Sequence, residues 1–344
     1  MKQKLIEFIK CPRCRGVDLR LKSVEMDHRE VRSGAVCCNQ CEKSYEIRNG
    51  ILYLYSTLPE TVVQEKEQTA LAIADRMQRC RFDSEWLLKL PVLDDDELGL
   101  GRLLTFEEAI SLGSVPKDAV VLDFGCGSCW TTWRLAEMSR VCIALDTCDH
   151  SMHGLGTFDT YAEAGRPYFE RVVGDLNQLS FRKGTFDLVF TSSSVHHAIS
   201  VQDLFERIRM LLKPGGRFIM INEPVCSIFK TDTPLQQEAR EHLASIEKPY
   251  SILQYRRFAR RAGFHETSHF EWFNYRTKTF NDHGHFPVRL IKKAAVSLWK
   301  HPSTRRKFRK FLHGLAIMFG ADYGTRGWPI LGRVNFFMIL SKPS

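Results

Sequence analysis

The sequence predicts an α/β protein in which a doubly wound parallel sheet follows a small, cysteine-rich β unit. Two observations predict this fold class. From residue 118 onward, short apolar stretches alternate with helical stretches, as in parallel strands joined by crossover helices. Near the start of the chain, two Cys-x-x-C pairs lie close together. The length of 344 residues is enough for about two domains.

The composition excludes a wholly disordered or collagen-like chain, because 44% of the residues are hydrophobic and 26% are charged. No apolar run approaches the roughly 18–20 residues that a membrane span requires. The first residues contain no long apolar stretch, so we expect no secretory signal and a cytoplasmic protein. In that reducing compartment, paired thiols indicate metal ligands before disulfides.

Residues 1–56 are predicted to form a small β-rich unit around a metal site. Two Cys-x-x-C knuckles present four thiolates, the arrangement that completes a tetrahedral zinc site (Cys11, Cys14, Cys38 and Cys41). Cys37 is an alternative to Cys38, and a redox-active or inert cysteine cluster is the alternative to a metal site. Four sulfur ligands leave no open position, so we expect a structural Zn²⁺ that supplies folding energy.

This segment resembles the zinc-ribbon family typified by the small activator subunit of tRNA, rRNA and release-factor methyltransferases. The resemblance lies in Leu5-Ile6 before Cys-Pro-Arg-Cys, in Cys-Asn-Gln-Cys, and in Tyr45-Glu46-Ile47 followed by Asn49-Gly50-Ile51. Residues 45–54 form two short strand-like runs, one on each side of the Asn49-Gly50 turn. Glu46 departs from the family, which usually has proline there. Because such ribbons are fused to varied methyltransferases, the resemblance says little about the substrate.

Residues 57–115 are predicted to be helical, and 116–275 to form the core of the sheet. Helix formers dominate 64–79, whereas the acidic run 94–97 is predicted to be a solvated loop. The predicted core strands are short and rich in Val, Ile, Leu and Phe (119–122, 141–145, 169–173, 186–190 and 217–221). A last strand, 333–340 within the terminal segment 331–344, follows an insertion at 276–330.

The first core strand runs into a glycine-rich turn, Gly125-Cys126-Gly127, which lets a ligand approach the backbone. Trp130 is too large for the sixth position of a dinucleotide fingerprint, where a small residue is needed. Asp123 would repel a pyrophosphate and instead suits a cationic ligand that carries an amino acid. S-adenosylmethionine is such a ligand, since it carries an ammonium and a sulfonium.

Two further carboxylates are predicted to lie at the ends of the next two strands. Asp146 follows Gly127 by 19 residues, the position from which a carboxylate grips ribose hydroxyls. Asp175 is placed to accept from an adenine amino group, with the Leu176 backbone alongside. Each aspartate alone would most often be a helix cap or turn residue. Three in register at successive strand ends favour a cofactor pocket, which we expect to include Thr191.

Residues 116–225 resemble class I S-adenosylmethionine-dependent methyltransferases of the generic small-molecule type. The resemblance rests on the glycine loop, the strand-end aspartates, Phe186-Asp187-Leu188-Val189, the Lys213-Pro214-Gly215-Gly216 turn and, further on, Ala262-Gly263-Phe264. It implies a Rossmann-like sheet of seven strands, the last antiparallel and inserted beside the fifth, with the helices of 57–115 gating the cofactor. Cys129 departs from the family, which has a third glycine here. A Cβ costs little at this position if φ stays negative, and we expect cofactor binding to persist because Asp146 and Asp175 are both present.

Methyl transfer from a sulfonium needs little more than a nucleophile held at attack distance, although oxygen and nitrogen acceptors also need a base. His196 and His197 follow the fourth strand and are candidate bases because their pKa lies near working pH. Glu223, after the fifth strand, is a further candidate. For each of these residues, a cap or turn role is an equally plausible alternative.

The formal net charge of +9 comes from one segment. Residues 289–313, in the middle of the insertion 276–330, hold nine basic residues and no acidic one, which leaves 40 basic against 40 acidic residues elsewhere. Basic residues on an amphipathic helix favour an anionic membrane surface, and Trp299, Phe308 and Phe311 could dip into it. The same pattern can hold nucleic-acid phosphates, or simply form a solvated lid.

The favoured hypothesis is an enzyme that methylates a small-molecule or lipid-linked acceptor and associates peripherally with an anionic membrane. An RNA methyltransferase, whose ribbon and basic segment grip rRNA or tRNA, is the second hypothesis. A non-catalytic partner protein that kept the fold is the third, and Cys129 is its only support.

Overall fold

A computed structural model of the chain describes residues 1–60, 62–64, 66, 67, 71, 83–93, 97–226, 250–271, 304, 307 and 335–344. Most of the predicted helical stretch 64–79 and of the acidic run 94–97 lies outside the described residues. So does the basic insertion 276–330, apart from Thr304 and Lys307.

The N-terminal unit is an antiparallel meander, preceded by a short 3-10 helix at Gln3–Glu7. Its strands are β1 (Leu19–Met26), β2 (Val31–Cys38), β3 (Ser44–Arg48) and β4 (Ile51–Tyr53). Asn49 and Gly50, between β3 and β4, have φ values of 50° and 77°. Such positive values are those of a type I′ hairpin turn, and the predicted hairpin is therefore confirmed.

The remaining chain alternates strands and helices over the described residues, as predicted. The strands are β5 (Ala119–Phe124), β6 (Ser139–Asp146), β7 (Glu170–Val173), β8 (Phe186–Ser192), β9 (Leu212–Ile221), β10 (His265–Glu271) and β11 (Asn335–Ser341). The helices are α1 (Ser84–Lys89), α2 (Glu97–Gly113), α3 (Trp130–Glu137), α4 (Phe158–Glu163), α5 (Val201–Leu211) and α6 (Ile252–Arg261). Short 3-10 helices lie at Leu155–Thr157, Leu176–Gln178 and Val195–His197.

All described strands belong to one sheet, in the order β1-β2-β3-β4-β7-β6-β5-β8-β9-β11-β10. Strand β11 lies between β9 and β10 and is antiparallel to both, which confirms the predicted inserted last strand. The junction between the two units was not predicted, because β4 pairs in parallel with β7, with Leu52 opposite Val172. The N-terminal unit thus covers what would otherwise be an open edge of the core sheet.

Alternation along the strands divides the core between the two faces of the sheet. Val120, Leu122 and Phe124 of β5 point to a face that is covered by α5, α6 and the first residues of the chain. Ala119 and Val121 point to the opposite face, which is covered by the other helices. Among the described residues, no helix is long and apolar enough to cross a membrane.

A buried ion pair joins the N-terminal unit to the core. The guanidinium of Arg171, on β7, pairs with the carboxylate of Glu30 and donates to the carbonyl of Asn49 at 3.2 Å. Arg171 also lies over the Phe158 ring, 3.9 Å from its centroid. A Cβ on Gly50 would collide with the Glu30 and Arg171 side chains, so glycine is required here for its size as well as for its φ.

Candidate functional site

A cavity of about 290 Å³ opens where the parallel strands β5, β6, β7 and β8 end. The glycine loop after β5 forms one wall, and the ends of β6 and β7 contribute Asp146 and Asp175. Ser192–Ser194 and His197, which follow β8, close the opposite side. Ligands of open α/β sheets bind at this edge. Five of the predicted pocket residues meet there (Gly125, Gly127, Asp146, Asp175 and Leu176).

The glycine loop has the backbone that its sequence predicts. Gly125 and Gly127 have φ values of 61° and 50°, in the left-handed region that favours glycine. A Cβ on Gly125 would collide with the Ser194 side chain, whereas one on Gly127 would meet nothing nearer than His153 at 4.0 Å. Gly125 therefore lets two strand-end loops approach each other, and Gly127 leaves space for a ligand.

Cys129 does not meet the condition under which its Cβ would cost little. Its φ is +57°, so a side chain occupies the left-handed region at the start of α3, which costs roughly 1–2 kcal/mol. The Cys129 thiol is buried beside the Cys126 sulfur at 3.6 Å. The residue keeps the conformation of the glycine it replaces, and its side chain is not among those that line the cavity.

Asp146 is held as a wall of the cavity. One carboxylate oxygen accepts from the N–H of Gly127 at 2.8 Å, and the other accepts from the N–H of Cys148 at 2.9 Å. These two bonds fix the carboxylate beside the glycine loop, and each oxygen retains lone pairs with which to accept from a ligand hydroxyl.

Asp175 and the residues after it form the neighbouring wall. The Asp175 Oδ1 accepts from the backbone and the side-chain amide of Asn177, both at 2.8 Å. Asp175 is thereby also the cap of the 3-10 helix Leu176–Gln178. Leu176 and Asn177 line the same cavity. Asp175 therefore both caps the 3-10 helix and lines the cavity.

The structure corrects the direct ligand contacts that we predicted for Asp123 and Thr191. Asp123 is fully buried, and its Oδ2 accepts from the hydroxyls of Thr131 at 2.8 Å and Thr132 at 2.6 Å. Burial raises the Asp123 pKa to about 7, against the lowering effect of those hydroxyls. The Thr191 hydroxyl donates to the carbonyl of Phe124 at 2.9 Å. Both side chains brace the glycine loop from behind, and neither lines the cavity.

The three candidate bases occupy different positions. His197 lines the cavity, whereas His196 and Glu223 are buried behind it and lie outside its lining. Glu223 accepts from the N–H groups of Ser194 at 2.8 Å and Val195 at 2.9 Å, and its second oxygen lies 2.8 Å from the Nδ1 of His196.

Burial tends to raise the Glu223 pKa, but the bond and charge of His196 and the backbone N–H groups hold it below its usual value. Glu223 is thus an ionised anchor of the loop, which corrects its predicted role as a base. The His196 ring packs on His197, with centroids 4.2 Å apart, so the anchor also positions the histidine that lines the cavity.

Sequence reasoning missed several residues that line the cavity. Ser193 and Ser194 belong to the segment after β8 that was singled out for its histidines, and their direct succession to a strand was the available signal. Cys148 and His153 lie in the loop after β6, where spacing offered no signal. Among the described lining residues, Asp146 and Asp175 carry charge and none is a lysine or arginine, so the cavity favours a cationic ligand.

The second predicted site is the cysteine cluster of the N-terminal unit. The sulfur atoms of Cys11, Cys14, Cys38 and Cys41 all lie within 4.8 Å of one another. Tetrahedral thiolates at about 2.3 Å from Zn²⁺ lie about 3.8 Å apart, so these spacings fit that ion. The thiol of Cys37 instead lies 3.4 Å from the Ser44 hydroxyl, which settles the choice between Cys37 and Cys38.

Two family models match separate parts of the chain. A family model described as a methyltransferase domain matches residues 122–220, and one described as Trm112p-like protein matches residues 2–50. Trichosetin synthetase PKS-NRPS1 of Gibberella fujikuroi is 31% identical over 112 residues, which are 30% of this chain and 3% of that protein. The sterol 24-C-methyltransferase erg-4 of Neurospora crassa is 29% identical over 113 residues, which are 30% of this chain and 27% of that protein.

The chain thus spans less than a third of the length of either curated relative. Among solved structures, the YcgJ protein of Bacillus subtilis aligns over 70% of this chain and 99% of its own, at 16% identity and a TM-score of 0.45. By its matches to the two family models, the chain carries a methyltransferase domain at residues 122–220 and a Trm112p-like domain at residues 2–50.

Proposed function

We propose that the protein transfers the methyl group of S-adenosylmethionine to a small-molecule or lipid-linked acceptor. The observation that carries the proposal is the cavity beside the glycine loop, whose charged lining residues in the described part of the chain are Asp146 and Asp175. A cavity with two carboxylates and open glycine backbone suits a ligand that bears a sulfonium, an ammonium and ribose hydroxyls.

The lining residues fit S-adenosylmethionine group by group. Asp146 would accept from the ribose hydroxyls, and Asp175 with the Leu176 backbone would bind the adenine edge. The backbone beside Gly125 and Gly127 would hold the amino-acid end. When bound, the cofactor supplies an electrophilic methyl group on a sulfonium and leaves as a neutral thioether. Asp123 contributes indirectly, because it ties the loop to the start of α3 through Thr131 and Thr132.

His197 is the side chain best placed to take a proton from the acceptor. It is the candidate base that lines the cavity, and the His196–Glu223 pair behind it fixes its loop. Holding the acceptor near the methyl group provides most of the rate acceleration in such a displacement, so we expect His197 to contribute a smaller, pH-dependent part.

Two observations support a small or lipid-linked acceptor. One relative is named as a sterol methyltransferase, which acts on a lipid. The basic segment 289–313 of the sequence would attract an anionic membrane surface or an anionic headgroup. The four clustered cysteines complete the proposal, since one Zn²⁺ held by them would stabilise the N-terminal unit and take no part in the chemistry.

The test is the transfer of radiolabelled methyl from S-adenosylmethionine into fractionated cell extract. Label in a lipid or small-metabolite fraction supports the proposal, and label in RNA establishes the RNA methyltransferase hypothesis instead. Asp146→Ala should lower the labelling at least about tenfold when the cofactor is below saturation. Glu163→Ala, which removes an exposed carboxylate outside the cavity, should leave it unchanged. Failure of the wild-type protein to bind S-adenosylmethionine in calorimetry would identify a non-catalytic member of the fold.

A further inference from the structure

A second cavity, of about 300 Å³, opens at the seam between the Trm112p-like unit and the methyltransferase domain. Lys10 and Arg15 reach it from the N-terminal unit, and Lys183 and Arg207 reach it from the core. Leu179, Met210 and Leu211 also line it, as do two exposed acids, Asp203 and Glu206. It shares no lining residue with the methyl-transfer cavity, so the proposed function does not use it.

The segments that carry Lys10, Lys183 and Arg207 are hydrogen-bonded to one another. The N–H of Lys10 donates to the carbonyl of Ser180 at 3.0 Å, and the N–H of Arg182 donates to the carbonyl of Phe8 at 2.8 Å. On the other side, the N–H of Gly184 donates to the carbonyl of Met210 at 2.9 Å. The backbone therefore holds Lys10, Lys183 and Arg207 around one space.

The guanidinium of Arg182 strengthens the same seam. It donates to the carbonyls of Ile6 and Ile9, both at 3.1 Å, and to that of Val17 at 3.0 Å. All three acceptors belong to the N-terminal unit. The cavity wall from which Lys10 projects is thus attached to the turn that carries Lys183 by side-chain as well as backbone bonds.

The positive charges around this cavity are not neutralised within the described part of the chain. Arg15, Lys183 and Arg207 line the same cavity as Lys10, so four like charges face one space. None of these four cations forms an ion pair with a described acidic group within 4.0 Å. Glu206 instead accepts from the side-chain amide of Gln202 at 2.8 Å. Four cations and two exposed acids line this space, so the site carries a net positive charge.

We propose that this seam cavity binds a phosphate group, contributed either by a free phosphorylated small molecule or by a nucleic-acid backbone. Two arginine forks and two lysine ammonium groups match the several charged oxygens of a phosphate. A divalent anion also offsets more of the mutual repulsion than a single carboxylate would. Because the ligating side chains come from both units, the bound phosphate bridges the Trm112p-like unit and the methyltransferase domain.

The experiment measures binding of inorganic phosphate, pyrophosphate and a short single-stranded RNA to the full-length, zinc-loaded protein by calorimetry at low salt. Lys10→Ala and Arg207→Ala should each weaken binding by about tenfold, the usual effect of losing one charged hydrogen bond. Arg20→Ala, which removes an exposed arginine of β1 outside the cavity, should bind as the wild type does. If Arg207→Ala fails to fold, Lys183→Ala replaces it, because Lys183 is exposed on a turn.

The arms of the experiment separate the two sources of phosphate. RNA that binds more tightly than pyrophosphate, with an affinity that falls steeply as salt increases, identifies a nucleic-acid backbone. Saturable pyrophosphate binding that the RNA does not exceed identifies a phosphorylated small molecule. The proposal is overturned if the wild-type protein binds none of the three probes, or if the cavity variants bind them as tightly as Arg20→Ala does.

Discussion

Replacing Glu30 with glutamine should destabilise the whole protein, because it leaves the buried guanidinium of Arg171 without its counter-ion. The Glu30 carboxylate also accepts from Arg32 at 2.8 Å and from the Tyr168 hydroxyl at 3.0 Å, so several partners lose the charge at once. Burial acts to raise the Glu30 pKa, yet Arg171 holds it below its usual value, which shows that the ionised form is the one stabilised by the fold.

The expected loss follows from the surroundings of Arg171. Removing one partner of a buried ion pair costs about 3–5 kcal/mol, since the remaining charge is buried without compensation. The carbonyl of Asn49 and the Phe158 ring stay in contact with the guanidinium and soften this loss. We therefore expect a decrease of about 3 kcal/mol in the free energy of unfolding.

Urea titration followed by two probes measures this decrease. Trp130 and Trp133 are buried in the core and Trp86 packs against it, so tryptophan fluorescence follows the core. The reactivity of the ribbon thiols follows the N-terminal unit. Both transitions should move together, because β4 and β7 share one sheet. The matched control is Glu46→Gln, which removes an exposed partner of Arg48 at 3.3 Å and should cost under about 1 kcal/mol.

A double substitution completes the test. Arg171→Met together with Glu30→Gln removes both buried charges, so it should be less destabilising than the sum of the two single changes. The reasoning is refuted if Glu30→Gln costs no more than Glu46→Gln, or if the two single effects simply add.

Four further outcomes are expected. Because burial raises the pKa of Asp123 to about 7, protonated Asp123 stabilises the fold at acidic pH, and this contribution is lost as pH rises through about 7. Asp123→Asn should therefore gain up to about 4 kcal/mol relative to the wild type as pH rises from about 4 to about 7 in urea titrations, and a constant difference would contradict this. Asp146→Ala should weaken S-adenosylmethionine binding at least about tenfold in calorimetry, since a charged hydrogen bond is lost, and unchanged affinity would remove the ribose assignment. His197→Ala should lower turnover roughly 10²-fold while binding of the cofactor persists, with His196→Ala less affected; wild-type rates for both would exclude the base. Metal analysis should find one zinc per chain. Chelation should lower the urea midpoint of the tryptophan transition as well as that of the ribbon transition. An unchanged tryptophan transition would show that the metal stabilises the ribbon alone.

Local patterns in the sequence were sufficient to predict β3 to β9, β11 and the two cysteine knuckles. The insertion of β11 beside β9 was predicted only from the resemblance to the methyltransferase family, and β1, β2 and β10 were not predicted individually. The positions of Asp146 and Asp175 at strand ends were enough to predict that they share one cavity, since parallel strands end at the same edge of the sheet. The same rule failed for Asp123, because successive side chains of a strand point to opposite faces and this one points toward α3. The sequence also contains no signal for the conformation of Cys129, because the loop imposes a left-handed backbone on a residue that has a Cβ.

The junction between the units could not be predicted for a different reason. Pairing of β4 with β7 joins residues that are 120 positions apart, as with Leu52 and Val172. Neither strand carries a signal for its partner, since any short apolar strand can pair with any other. Glu30 and Arg171 are equally remote from each other, and only the folded chain shows that the two charges meet. The cation cluster of the seam cavity is invisible for the same reason.

The continuous sheet makes the N-terminal unit difficult to detach. The N–H of Leu54 donates to the carbonyl of Val173 at 2.8 Å. If the chain were cleaved just beyond residue 56 and the N-terminal unit lost, this carbonyl and the other backbone groups on that edge of β7 would have no hydrogen-bond partner. Arg171 would become a solitary cation at the new margin. A separately expressed methyltransferase fragment should therefore aggregate and be degraded readily. Adding the N-terminal unit as a peptide should restore its solubility.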